Sequence, residues 1–379
     1  MTRPTVLPEP NVPDQTPAIW RSGWFHTLSR FIALIVVFVL FAFLVDKWAF
    51  LTPANLEGIL RESAVYATAA LGMTLVIITA GIDLSVGSII ALTVVTVASV
   101  LNLNYTTTPV EGGEPETVYL VYQFPILLPI LAMIAALLMA TLAGLCNGAT
   151  IVGLRLVPFI VTLGTMGIFR GLAKGLAEVG SGAKNISPPE GTWIKHILEP
   201  TLTTWLDWLA GKPGVSPRGL DWFILPLGVW ILIFASITAA LVLRYTRLGR
   251  HIFAVGSNAE TARLCGVPVG RTKIIVYALC GLFAGLAGLM QFSREVGQGN
   301  PTTAVSYELY VIAAVVIGGG SLMGGEGSIL GCVIGALIIT TLHNGGELMG
   351  WYKWVQEIVI GVIIIAAVAL DQLRHRWLQ

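Results

Sequence analysis

The sequence predicts an all-α integral membrane protein of about ten transmembrane helices. Three observations carry that prediction. The 379 residues are 55% apolar and only 11% charged, against about 25% charged in an ordinary soluble domain. Mean hydropathy is +0.81. Apolar runs recur at the length of a bilayer. Phe31–Val45 is fifteen residues without a polar side chain, and its flanks carry it past the ~20 residues that cross hydrocarbon. Hydrocarbon offers backbone groups no partners, so such runs must be helices. They do not alternate polar with apolar, which excludes a β-barrel. With 22 basic and 21 acidic residues the net charge is +1, and no field suited to nucleic acid is implied.

Taken in order, residues 1–26 are a polar arm with Pro4, Pro8, Pro10, Pro13 and Pro17. So many prolines prevent helix and sheet, and the arm is expected to be disordered. It is too long and too polar for a signal peptide, and no small-residue cleavage site follows the first apolar run. That run is therefore read as retained. Residues 27–371 form the membrane domain, with spans at roughly 27–50, 60–80, 84–104, 124–147, 156–178, 222–243, 270–292, 303–320, 326–345 and 354–371. The eighth is crowded and is expected to be shorter or broken. Residues 372–379 are a tail.

Lysine and arginine set the orientation. Segment 244–273 holds Arg244, Arg247, Arg250, Arg263, Arg271 and Lys273 against one acid, Glu260, and is placed in the cytoplasm. Six spans precede it, so both termini are cytoplasmic. Arg21, Arg30, Arg374 and Arg376 agree. Loop 105–123 and the long loop 179–221 fall outside. The latter carries Lys184, Lys195, Lys212 and Arg218, but long loops obey the rule least. The four cysteines, Cys146, Cys265, Cys280 and Cys332, form no CxxC pair, and three lie in spans. They read as small packing residues rather than ligands or disulfides.

Some chemistry is missing. No span shows an acid or histidine at mid-depth except His343 near the end of span nine, which counts against a proton-driven secondary carrier. The run Gly318–Ser328, GGGSLMGGEGS, is glycine-rich but lacks the lysine of a phosphate-binding loop, and reads as a tight turn between spans. No His/Asp/Glu or Ser/His/Asp cluster lies near a span, which disfavours a membrane enzyme. No metal or cofactor site is expected.

Between spans six and seven, Ser257-Asn258-Ala259-Glu260 fits a capping box, with Ser257 as cap and Glu260 reaching back. Gly266 can take a left-handed terminating conformation and Pro268 blocks continuation. A helix is expected at 258–265, about 12 Å long. Gly249, Gly256 and Gly270 allow sharp turns around it. Ala259, Ala262 and Leu264, with Arg263, could fill a groove on a cytoplasmic partner. Equally, the helix could lie on lipid headgroups.

Four stretches resemble the permease subunits of bacterial ATP-binding-cassette sugar importers of the ribose, xylose, arabinose and galactose group. They are GMTLVIITAGIDLSVGSIIAL (Gly72–Leu92), VPFIVTLGTMGIFRGLA (Val157–Ala173), Thr246–Leu289 and Tyr307–Gly345. They occur in order and cover most of the chain from 55 to 370. The proline-rich arm and the enlarged loop 179–221, with Trp193, Trp205 and Trp208, depart from simpler members. The resemblance implies the ten-helix importer permease fold in the bacterial inner membrane. It further implies a homodimer of permeases, two cytoplasmic ATPase subunits and a periplasmic sugar-binding protein. The permease would supply a path and no catalysis. Residues 257–266 would then be the coupling helix that docks on the ATPase. Gly256, Ala259, Glu260 and Gly266 match that motif, and Ser257, Asn258 and Arg263 lie within it. A pentose or hexose such as ribose or xylose is the expected cargo; a nucleoside or a furanoside signal is the alternative.

A sugar needs hydroxyl partners more than charge. Asn147, Thr162, Thr165 and Asn344 are polar residues in or near spans and are candidates for the path, or for helix–helix hydrogen bonds. Asp83, in the glycine-framed run Gly81–Gly87, is a candidate gate. It could instead cap the third span through the N–H of Ser85 or Val86. The pairs Gly281/Gly285 and Gly331/Gly335 are candidates for close helix packing or the dimer interface.

Overall fold

The computed structural model describes residues 23–107, 116–181, 185–189, 192–198 and 225–378. The helices in order are α1 (Gly23–Leu44), α2 (Pro53–Ile78), α3 (Val86–Leu101), α4 (Leu120–Gln123), α5 (Leu127–Leu154), α6 (Pro158–Ser181) and α7 (Leu227–Tyr245). Next come α8 (Arg247–Ser257), α9 (Ala259–Leu264), α10 (Val269–Arg294), α11 (Tyr307–Ile317), α12 (Ile329–Leu348) and α13 (Lys353–Leu378). A helix stands at each segment the hydropathy picked out. Six of them are long and apolar enough to cross a membrane by length and composition: α2, α5, Pro158–Val179 of α6, α7, α10 and α12. Leu28–Leu44 of α1, α3 and α11 are shorter apolar helices. At eleven residues, α11 spans only about 16 Å.

Helix α2 is the axis of the bundle. Thr52 starts it, its hydroxyl oxygen accepting the Asn55 N–H at 3.4 Å. Pro53 follows at the first helical position, where a missing N–H costs nothing. From Glu62 to Ile78 every residue is buried, as in a helix enclosed on all sides. Helices α10, α12, α11 and α7 pack around it, and α3 and α5 pack on α10. Glycines permit the closest approach. A Cβ on Gly281 of α10 would run into the Ala140 carbonyl oxygen of α5, and one on Gly144 of α5 into that of Tyr277. Gly335 meets Ala314 and Gly331 meets Gly318 in the same way. Both GxxxG pairs thus serve packing inside the chain. Large apolar side chains face outward on the peripheral helices: Phe43, Phe234 and Ile365 are 85%, 73% and 72% exposed.

Several expectations change. Loop 105–123 holds an antiparallel hairpin, β1 (Asn104–Thr107) with β2 (Glu116–Tyr119), paired from Asn104↔Tyr119 to Thr107↔Glu116. Helix α1 begins at Gly23, inside the expected arm; the rest of that arm lies outside the described residues. So does most of loop 179–221, Trp205 and Trp208 included, whereas Trp193 is buried and opens a 3-10 turn to His196. The tail 372–379 continues α13 as far as Leu378. Segment 244–273 is mostly helical, because Leu248, Ile252 and Val255 give α8 an apolar face under its basic residues.

Candidate functional site

The basic loop builds a small platform. Thr246 caps α8, its hydroxyl oxygen accepting the Gly249 N–H at 3.2 Å. Helix α9 follows after a single residue, Asn258, which is its cap: the Asn258 side-chain oxygen accepts the Thr261 N–H at 2.9 Å. The expected cap, Ser257, is the last residue of α8 and donates to the Phe253 carbonyl at 3.0 Å. With the cap one residue later, Glu260 falls at the second helical position and no capping box forms. Helix α9 is therefore six residues, about 9 Å, rather than the expected 258–265. Its end follows the expected chemistry. Gly266 sits at φ +81°. Val267 N–H bonds the Ala262 carbonyl at 2.9 Å and Gly266 N–H the Arg263 carbonyl at 3.0 Å. These are the two bonds of a Schellman stop.

Helix α9 presents Leu264, 88% exposed, beside Glu260 and Arg263, whose charges lie 3.6 Å apart in the open. Ala262 is buried against its own chain, so it cannot fill a partner's groove. Gly249 and Gly256 lie within α8 and Gly270 in the first turn of α10, where they allow close contact rather than sharp turns. A Cβ on Gly256 would run into the Ile78 carbonyl oxygen at the end of α2. The same carbonyl accepts the Gly325 N–H at 2.9 Å. The glycine-rich turn 318–328 is thus wedged between the platform and the α2–α3 break.

That break is shaped by Ala80 at φ 56°. Gly81 N–H reaches the Val76 carbonyl at 3.0 Å and Ala80 N–H that of Ile77 at 2.9 Å, again a Schellman stop. Just beyond it, Asp83 Oδ1 accepts the Ser85 N–H at 2.9 Å and the Ser85 hydroxyl at 2.6 Å. Asn147 of α5 donates to Ser85 Oγ at 2.8 Å and lies 3.5 Å from each Asp83 oxygen. The Ile82 carbonyl accepts the hydroxyls of Thr162 and Tyr277, each at 3.3 Å. Asp83, Ser85, Asn147 and Thr162 are fully buried. Among the described residues Asp83 has no ion-pair partner.

Three of the five candidate path residues therefore converge. Thr165 is adjacent on α6 and bonds the Thr162 carbonyl at 3.3 Å. Asn344 is elsewhere, in a reciprocal amide pair with Asn55 at 2.8 and 3.0 Å. The sequence reading passed over Tyr277, although its hydroxyl in an apolar helix was a signal.

It also passed over a charged cluster inside the bundle. Glu62 of α2 is buried, 2.9 Å from Arg294 and 3.3 Å from His343 Nδ1. The expectation that His343 is the one acid or histidine within the spans is thereby corrected: Glu62 lies buried in α2. Arg294 also donates to the Tyr307 hydroxyl at 3.2 Å, and the Tyr66 and Tyr307 rings stand 4.6 Å apart. Arg170 of α6 donates to the carbonyls of Pro301 and Thr303 at 3.0 and 2.5 Å, fixing the turn before α11. Charges buried in this way are paired or cap carbonyls, as low-dielectric surroundings require.

An apolar bundle with outward-facing apolar side chains and polar groups buried in its interior is the architecture of a helical membrane protein. A family model described as the permease component of branched-chain amino acid transport systems matches residues 55–368, and the chain belongs to this family. It is a transporter subunit and not an enzyme. The ribose import permease protein RbsC of Escherichia coli (strain K12) is 37% identical over 350 residues, covering 92% of this chain and 94% of that one. The xylose transport system permease protein XylH of Haemophilus influenzae is 31% identical over 386 residues, covering 91% and 96%. The L-arabinose transport system permease protein AraH of E. coli (strain K12) is 33% identical over 345 residues, covering 91% and 90%. No solved structure matches the chain.

Proposed function

We propose that this permease forms the membrane path of an ATP-driven importer for a monosaccharide, with ATP hydrolysed on a separate cytoplasmic subunit. Relatives named for ribose, xylose and arabinose support a pentose or hexose cargo. In this reading the chain crosses the bacterial inner membrane ten times, with both termini and the α8–α9 platform in the cytoplasm. The six basic residues of 244–273 against one acid support that side. Two copies of the chain assemble with two ATPase subunits and receive sugar from a periplasmic binding protein.

The observation that carries the mechanism is the seating of α8 on the carbonyl end of α2. Helix α9 docks on the ATPase through Leu264, Glu260 and Arg263. Closure of the ATPase pair displaces the platform. Gly256 meets Ile78 and Gly325 across backbone contacts with no flexible side chain between them, so the displacement reaches the α2–α3 break. There Asp83, Ser85, Asn147 and Thr162 hold one arrangement of the path, and the ATPase biases the balance between arrangements. Hydrogen bonding without a charge partner suits a neutral polyhydroxyl cargo.

The test is purification of the tagged chain from its native membranes in mild detergent, with mass spectrometry of what accompanies it. A stoichiometric P-loop ATPase is the expected companion. A lone chain, with uptake surviving deletion of the candidate ATPases, would instead establish a secondary carrier.

A further inference from the structure

A cavity of about 850 Å³ opens where the C-terminal end of α5 meets the linker from α9 to α10. Four cations line it: Arg155, Arg263, Arg271 and Lys273. No acid does. Only Arg263 has an ion-pair partner among the described residues, the exposed Glu260; Arg155, Arg271 and Lys273 have none. The rest of the wall is apolar, chiefly Ile151, Val152, Leu156 and Val269. Arg155 is held at φ 53° at the end of α5, a position that usually falls to glycine because a side chain there is strained. An arginine thus lines the cavity from a backbone position that disfavours side chains.

The surroundings distinguish the ligand. Immediately beside Arg155, Leu154, Val157, Phe159 and Ile160 are 66%, 59%, 47% and 61% exposed. Ile275, one turn beyond Arg271 and on the same face of α10, is 44% exposed. A cavity with three cations that have no ion-pair partner among the described residues therefore adjoins a broad apolar skirt at the ends of α5, α6 and α10. A soluble anion has no use for the skirt. A phospholipid uses both parts: phosphate in the cavity, acyl chains along the helices. Basic pockets between helix ends on the cytoplasmic side suit anionic headgroups. We propose that this cavity seats the phosphodiester headgroup of an anionic phospholipid of the inner leaflet, tying the membrane to the base of the docking helix. The inference rests on the cytoplasmic placement of α8 and α9 given above, but not on an ATPase being bound.

Native mass spectrometry of the full-length chain, with whatever subunits accompany it, tests this. The protein is delipidated and titrated with phosphatidylglycerol or phosphatidylcholine of matched chains. Preferential retention of phosphatidylglycerol is expected, and millimolar inorganic phosphate should not displace it. R155Q, R271Q and K273Q should each lower that retention about fivefold. R155K and R271K, which keep the charge, should retain it and so control for misfolding. Equal retention of the two lipids would overturn the proposal, as would a preference that survives R155Q/R271Q/K273Q. Displacement by phosphate would overturn it in favour of a soluble anion. Loss of the preference whenever an ATPase subunit is bound would assign the cavity to that protein instead.

Discussion

Gly256 and Ile78 are in backbone contact: no Cβ fits on Gly256 beside the Ile78 carbonyl oxygen. The residues are far apart in sequence, one in the last turns of helix α8 and the other at the final residue of the central helix α2. Gly256→Ala must force the two apart. The cost of such overpacking is about 1–3 kcal/mol. Thermal unfolding in detergent should fall accordingly, and uptake should fall further than stability, with Gly256→Val worse than Gly256→Ala. Wild-type uptake in Gly256→Val would remove this contact from the coupling route.

The buried acid should outweigh the exposed one. Removing one partner of a buried ion pair costs about 3–5 kcal/mol, and an exposed pair is worth about 0–1 kcal/mol. Arg294 is 35% exposed, which places Glu62 toward the low end of the first range. Glu62→Ala should lower the melting temperature clearly, whereas Glu260→Ala should leave it almost unchanged. Equal shifts would contradict the assignment of Glu62 to the structural interior.

Asn344 and Asn55 join α12 to α2 through a reciprocal amide pair. Interhelical hydrogen bonds of this kind average about 0.6 kcal/mol in membranes. Asn344→Ala and Asn55→Ala should each cost stability, show coupling of about that size in a double-mutant cycle, and leave uptake intact. A selective loss of uptake in Asn344→Ala would return this residue to the path.

Asp83 accepts both the N–H and the hydroxyl of Ser85. Asp83→Asn keeps one acceptor oxygen and should insert and fold. Asp83→Ala leaves the Ser85 N–H without its partner, a loss of about 1–3 kcal/mol for a buried group. A thermal shift in Asp83→Ala that Asp83→Asn largely spares is the expected pattern. Uptake lost with stability unchanged in both would mark a gate and not a strut.

The helix positions were legible because a membrane helix writes its length in unbroken apolar residues, as Phe31–Val45 does. The end of helix α9 was legible from Gly266 and Pro268, which stop a helix by backbone geometry alone. Its start was not: Ser257 and Asn258 are both good caps, and only the continuation of α8 through Ser257 decides between them. Helix α8 was hidden because its basic residues drew it into a loop, while its apolar face repeats at helical spacing. Asp83, Asn147 and Thr162 could be named from polarity, but their convergence depends on α3, α5 and α6 packing together. Glu62, Arg294 and His343 meet across separations of more than 200 residues and one of 49, and nothing local in the sequence announces such a pairing.

The central claim is that α9 couples this permease to an ATPase on another chain. Leu264 is an exposed apolar side chain on a helix stopped two residues later, and Leu264→Asp changes nothing the bundle packs against. The decisive measurement is the amount of ATPase subunit that co-purifies with Leu264→Asp, taken together with sugar uptake in the same cells. The account predicts a permease that inserts at normal levels, loses its ATPase and stops transporting. Retained ATPase with normal uptake would contradict it.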